Sequence, residues 1–269
     1  MRACARKERK QMRTVALVNQ KGGVGKTATA VQLAAALTEQ GRRVLSVDLD
    51  PQANLSKTLF GARDSELSVY DVLVGGKDVR EAAVATFAGD ALLSARSHKK
   101  LSTIDAVVGS DPDKPYLLSM ALEEAAGDYD YVVIDTPGVR DTLAYNALVA
   151  ADGLVVPAMG DDYSLDGIDQ LADSVVRTRR RANPDLEIYG ILLTIFREGT
   201  VIARDMAKNI SAAASKLGTT VFEARIRQSC AIPESLASGQ SIFDYDPRSK
   251  VAEDYGRFVS EFVKIAEGE

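Results

Sequence analysis

Thr14-Val15-Ala16-Leu17-Val18-Asn19-Gln20-Lys21-Gly22-Gly23-Val24-Gly25-Lys26-Thr27-Ala28 is the stretch whose reading decides the fold. Its first five residues are a short apolar run of strand type and a helix is read from Lys26 onward, so the three glycines fall in a strand-to-helix turn. Such a turn cradles an anion. Glycine lets the backbone bend with its N–H groups pointing inward, and the following helix adds unpaired N–H donors at its partially positive end. Gly22, Gly23, Val24, Gly25, Lys26, Thr27 and Ala28 are therefore the candidate phosphate-binding residues. Lys26 is placed to reach the β- and γ-phosphates as a point charge, and Thr27 brings the hydroxyl that glycine-rich phosphate loops set on Mg²⁺. The common pattern, G-x-x-x-x-G-K-[ST], asks for glycine where this chain has Gln20; a second lysine, Lys21, stands ahead of the glycines instead.

Two acidic motifs follow in order. A strand read over Arg43–Asp48 leads into Asp48-Leu49-Asp50-Pro51-Gln52-Ala53-Asn54, and within the motif Asp130–Gly138 four apolar residues form a second strand that ends at Asp135. Acidic residues at the carboxyl ends of parallel strands, beside a phosphate turn, face the ligand crevice. Asp135 is thus placed to hold Mg²⁺ through water. Asp135-Thr136-Pro137-Gly138 also fits the D-x-x-G of GTPases, but the chain has no Asn-Lys-Xaa-Asp segment to read guanine, so ATP is preferred over GTP.

Lys21-Gly22-Gly23-Val24-Gly25-Lys26-Thr27 resembles the "deviant" Walker A of the ParA/MinD superfamily of ATPases, and the likeness runs from about Thr14 to Ala266. Asp48–Asn54 resembles the family's A′ box and Ser68–Leu73 its T-x-Y-D-V-L element. Asn146–Asp152 with Pro157, Ile188–Thr194 and Gly239–Ser249 match further family segments. The fold this implies is a doubly wound, mostly parallel α/β sheet with helices on both faces, of P-loop NTPase type. The resemblance implies that Lys21 acts in trans on a dimer partner's nucleotide, that Asp50 positions the attacking water and that Asp48 lies near the Mg²⁺ shell. It also implies an ATP-dependent homodimer with weak intrinsic ATPase activity, nonspecific DNA binding by that dimer, and a ParB-like adaptor that stimulates hydrolysis to partition plasmid or chromosomal DNA. A MinD-like ATPase positioning cargo on a membrane or protein complex is the alternative.

This chain departs from the family pattern at several points. Gly138 replaces the second proline of D-x-P-P, Gly199 stands where relatives have arginine with Arg197 two residues away, and Leu92-Leu93-Ser94 lacks a proline. In Ile226–Ser235, the loop that packs near adenine in relatives, Gln228 and Ala231 replace basic residues while Arg225 and Arg227 add others.

Composition narrows the classes. With 46% hydrophobic and 26% charged residues the 269-residue chain is ordinary globular material, and no apolar run approaches the ~20 residues of a membrane span. A cytoplasmic, nucleoid-associated location is expected. Cys4 and Cys230 form no C-x-x-C pair, which argues against the iron–sulfur reductases of the same superfamily, and His98 is the only histidine. The net charge of −5 means that DNA contact has to come from a local basic patch. Residues 1–13 read as a basic, disordered arm, with Met12 a second possible start, ahead of a single domain over 14–269. Arg177, Arg179, Arg180 and Arg181 end a helix that starts near Tyr163–Gly167 with Ser164 or Asp166 as cap; they are either a solvated helix end or a DNA-facing patch. The last helix, Lys250 to Ala266, has Phe258, Phe262 and Ile265 on one face and an acidic end, so it reads as packed rather than membrane-bound.

Overall fold

The computed structural model describes residues 12–61, 65–92, 99–138, 141–197 and 201–268. The basic arm up to residue 11 with Cys4, the segment from Leu93 through His98, and Glu198-Gly199-Thr200 lie outside the described residues. The chain opens with β1 (Arg13–Leu17), α1 (Lys26–Glu39), β2 (Val44–Asp48) and α2 (Asn54–Phe60). Short elements follow: α3 (Val69–Leu73), α4 (Val79–Ala82), β3 (Val84–Thr86), β4 (Gly89–Leu92), α5 (Ile104–Val108) and α6 (Leu117–Glu124). Then come β5 (Tyr131–Asp135), α7 (Thr142–Ala150), β6 (Gly153–Met159), α8 (Asp162–Arg181), β7 (Glu187–Phe196) and α9 (Val201–Lys216). The chain closes with β8 (Val221–Arg227), α10 (Ala231–Ala237), α11 (Ile242–Tyr245) and α12 (Lys250–Glu267).

The strands form one sheet in the order β3-β4-β2-β5-β1-β6-β7-β8, parallel except for the β3–β4 pair. Because successive side chains alternate between faces, a strand buried on both sides must be apolar throughout. Along β1, Val15 and Leu17 join the core under α1 and α12, while Ala16 and Val18 join the core under α6, α7 and α8. The expected doubly wound sheet is what forms, and the chain switches sides of β1 after β5, which opens a crevice at the carboxyl ends.

Helix α1 is buried almost all round, which its alanines permit, and it ends at Glu39, with Gln40 as its C-cap and left-handed Gly41 next. Helix α8 starts at Asp162, earlier than read from the sequence, so neither Ser164 nor Asp166 is its cap. In α12, capped by Ser249, Phe258 and Phe262 are buried as expected, with Phe258 edge-on to Phe222 at 5.1 Å and Phe262 edge-on to Tyr189 at 5.9 Å. Ile265 instead stays 37% exposed, because the apolar stripe that meets the sheet continues through Val259 and Ala266. No helix among the described residues is long and apolar enough to cross a membrane.

Two glycines test this packing with opposite signs. A Cβ on Gly153 would stand 2.3–2.5 Å from the Tyr189 ring, whereas one on Gly256, inside α12, would meet nothing within 4 Å. Gly153→Ala is expected to cost about 1–3 kcal/mol of stability and Gly256→Ala to add up to about 1 kcal/mol, both read by urea unfolding.

Candidate functional site

Parallel pairing places the three motifs at one edge. Leu17 of β1 and Asp48 of β2 both lie in register with Asp135 of β5, so the phosphate turn leaves β1 beside two carboxylates. Gly23 and Gly25 take left-handed backbone (φ +75° and +84°), which closes the turn at the start of α1. No side chain caps α1, so its first N–H groups stay directed into the turn. Gly22 differs. Its φ lies outside the left-handed region and a Cβ there would meet no protein atom within 4 Å, so nothing among the described residues requires glycine there.

Inside the turn, Thr27 Oγ1 donates to Asp135 Oδ2 at 2.6 Å. The other oxygen, Asp135 Oδ1, is buried with no hydrogen-bond partner. An orphaned carboxylate oxygen in a dry site is costly, and a cation relieves it. Among the described residues no group of three or more His, Cys, Asp or Glu could cage a metal. Mg²⁺ takes one or two protein oxygens and completes its shell with phosphate and water, so the Thr27 hydroxyl and the unpartnered Asp135 oxygen fit it. Burial first, then the neighbouring Asp48, pushes the Asp135 carboxyl well above the usual range, against the pull of Thr27 and Lys26. Lys26 is 8% exposed, and burial lowers its pKa while Asp135 and Asp50 raise it. Its Nζ donates to the Lys21 carbonyl at 3.3 Å.

The structure brings Lys26, Thr27, Asp48, Asp50 and Asp135 together and gives the two A′-box aspartates different surroundings. Asp48 is fully buried, accepting from Asp50 N (3.1 Å), Ser56 N (2.8 Å) and Ser56 Oγ (2.6 Å), so it ties the loop after β2 to the sheet. Asp50 sits half-buried above it, one oxygen accepting from Gln52 N. Lys21 points elsewhere than Lys26: its ammonium pairs with Asp161, just past β6. A Cβ on Gly138 would stand 3.3 Å from the Gln20 carbonyl and 3.7 Å from Lys26 Nζ. Glycine there lets the loop after β5 lie close against the phosphate turn.

Sequence reasoning passed over the residues that brace the turn. Asn19 Nδ2 donates to Pro157 O at 2.7 Å while its Oδ1 accepts from Lys21 N, and Thr194 Oγ1 donates to Val24 O at 2.8 Å. Thr136 Oγ1 donates to Leu17 O at 2.7 Å. The available signal was a polar side chain ending each apolar strand. Next to Gly25 and Ala28 lies an apolar cavity of about 360 Å³, walled by Ile226, Ile232, Pro233 and Tyr255. It stands beside the loop read as packing near adenine, and its size and apolar walls suit a planar base.

The chain is similar to several known proteins. A family model described as an AAA domain matches residues 12–188. The chromosome partitioning protein ParA of Caulobacter vibrioides is 36% identical over 94% of both chains. The chromosome-partitioning ATPase Soj of Thermus thermophilus is 37% identical over 95% of this chain and 97% of its own. Among solved structures, a Mycobacterium smegmatis protein described as cobyrinic acid a,c-diamide synthase, with bound ADP and magnesium, superposes with a TM-score of 0.82 at 31% identity. That match covers 96% of this chain and 97% of the other.

The raised Asp135 carboxyl makes a testable liability. An acid whose folded pKa exceeds its unfolded value weakens the fold progressively as pH rises from the ordinary carboxylate range through the raised one. In protein free of nucleotide and Mg²⁺, Asp135→Asn is therefore expected to raise stability by on the order of 1 kcal/mol, about 2–4 °C in Tm, at pH 8. The gain should shrink toward pH 5 in thermal scans.

Proposed function

This chain belongs to the ParA/MinD-type family of partition ATPases, and from that premise we propose that it is a dimerising switch in which Mg²⁺-ATP joins two copies, each completing the other's site. The observation that carries the reading is the division of labour between the two lysines. Lys26 is buried beside Asp135, whereas Lys21 holds its ammonium on Asp161 at the rim. In this reading the second lysine, held at the rim by Asp161, is the one that serves a neighbour's cradle.

In this reading the turn amides from Gly22 to Ala28 and the Lys26 ammonium hold the phosphates, and Thr27 with Asp135 holds Mg²⁺. Bound Mg²⁺ would supply charge neutralisation on the β- and γ-phosphates. Asp50 orients the attacking water, and Asp48 fixes the Asp50 loop through its bonds to Asp50 N and Ser56. The partner's Lys21 adds the last positive charge, a contribution worth about 10³–10⁵ in rate where an arginine does this in other NTPases. Intrinsic hydrolysis is accordingly weak, and ATP and the second subunit stabilise one another.

The ATP dimer would hold DNA nonspecifically on the nucleoid and release it when a ParB-like adaptor stimulates hydrolysis. Arg197 and Arg225 are better placed to meet phosphate than Arg227, which is bound bidentately by the buried Asp254. The MinD-like membrane reading is disfavoured because α12 buries its apolar face in the core. The cobyrinic acid chemistry named for the Mycobacterium smegmatis protein is not carried over. What the ParA and Soj relatives and that protein have in common over this length is the nucleotide-binding fold.

Light scattering with ATP, ADP or no nucleotide tests the switch. Mg²⁺-ATP should double the mass of the wild type, and Lys21→Ala should bind ATP yet stay at the nucleotide-free mass. A wild type indifferent to ATP contradicts the reading. Retention on nonspecific duplex DNA should require ATP and fall by orders of magnitude between about 50 and 200 mM salt; ATP binding without retention at low salt would remove DNA from the account.

A further inference from the structure

A second cavity, of about 310 Å³, lies between α7 and α8 at the β1 end of the phosphate turn. None of Lys21–Ala28 lines it, so it is separate from the phosphate cradle. Its floor is apolar, built from Ala144 and Leu148 of α7, Leu171 of α8 and Pro137 of the loop after β5. Arg177 and Arg181 stand at its wall, four residues apart on α8. Residues at that spacing share a helix face, so the two cations repel one another.

The helix dipole accounts for cations in the last turn of α8 but not for Arg177, a turn earlier. Arg179 has another task, its Nε donating to Leu186 O at 2.7 Å. Arg177 and Arg181 are exposed, and among the described residues neither forms an ion pair. Asp141, which also lines the cavity, is engaged as the cap of α7, its Oδ1 accepting from Ala144 N at 2.9 Å. An apolar floor, a size within the range of small-molecule pockets, and two guanidinium groups on one helix face with no ion pair among the described residues define a ligand class.

We propose that this cavity is an effector site for a small amphiphilic carboxylate, its acid group between Arg177 and Arg181 and its apolar body on Leu148 and Leu171. Gln20 and Thr136 also border the cavity, so an occupant touches both the residue ahead of Lys21 and the residue after Asp135. Its effect on nucleotide affinity, the part that rests on the ATPase reading above, is reciprocal by linkage.

The probe is 2-naphthoate, compared with the neutral 2-naphthamide by calorimetry on the nucleotide-free chain. Naphthoate should bind at least about tenfold more tightly. That preference should vanish in Arg177→Ala/Arg181→Ala and persist in Arg180→Ala, a neighbouring exposed cation outside the cavity. Ala144→Phe, which fills the floor, should weaken both compounds. Equal binding of acid and amide, or a preference that survives the double substitution, overturns the site. So does a double variant that loses DNA retention while keeping the naphthoate preference, since the arginines then serve DNA. With naphthoate saturating, the affinity for Mg²⁺-ATP should change at least about threefold in the wild type and not in the double variant; an unchanged ATP affinity overturns the effector assignment. A chain that binds naphthoate selectively but no ATP would instead indict the ATPase reading.

Discussion

Two buried carboxylates side by side, Asp48 and Asp135, the second of them beside the buried Lys26, set the terms for the rest of this molecule. The parallel register of β2, β5 and β1 imposes the arrangement, because it brings the ends of three strands into one row. Asp48 is quieted by three donors from its own loop. Asp135 has the Thr27 hydroxyl on one oxygen and nothing on the other. The site is thus acidic at its base and rich in N–H donors at its rim, a polarity that a divalent cation carrying a polyphosphate satisfies and that either alone would not.

Much of this was legible in the sequence because it is local. Glycines at fixed offsets after an apolar run announce a phosphate turn, and an aspartate ending such a run announces a carboxylate at the sheet's edge, so the cradle and its acids could be named before any coordinates. What was not legible joins residues far apart in the chain. Lys21 meets Asp161, Thr194 meets Val24, and Asn19 meets Pro157, each pair separated by well over a hundred residues. No periodicity marks such partners. The same holds for the apolar cavity beside Gly25 and Ala28, lined from β8 and α10, and for Arg177 and Arg181, whose shared cavity is lined from both α7 and α8. The start of α8 and the exposure of Ile265 were misread because helix phase near an end depends on the neighbouring packing.

Backbone strain gathers around the same crevice. Only Ala53 and Ile195 among the described non-glycine residues have positive φ, 54° and 52°. Ala53 precedes α2 in the loop that Asp48 ties down, and Ile195 borders the apolar cavity beside Thr194. Left-handed backbone costs an L-residue about 1–2 kcal/mol, and for a β-branched side chain it is rare. Surrounding structure holds both in place, and their position beside the cradle fits a site whose loops are fixed before the ligand arrives. Stability is given up here in two ways, through left-handed backbone at Ala53 and Ile195 and through the buried Asp135 oxygen that has no hydrogen-bond partner.

The Lys21–Asp161 pair is where the single chain and the proposed dimer differ most, since the same ammonium cannot serve its own rim and a neighbour's phosphate at once. A crystal structure with Mg²⁺ and a non-hydrolysable ATP analogue measures this directly. The account predicts two copies face to face, with Lys21 Nζ off Asp161 and within about 3 Å of a phosphate oxygen held by the other subunit. A nucleotide-loaded chain whose Lys21 remains on its own Asp161, away from either nucleotide, would contradict it.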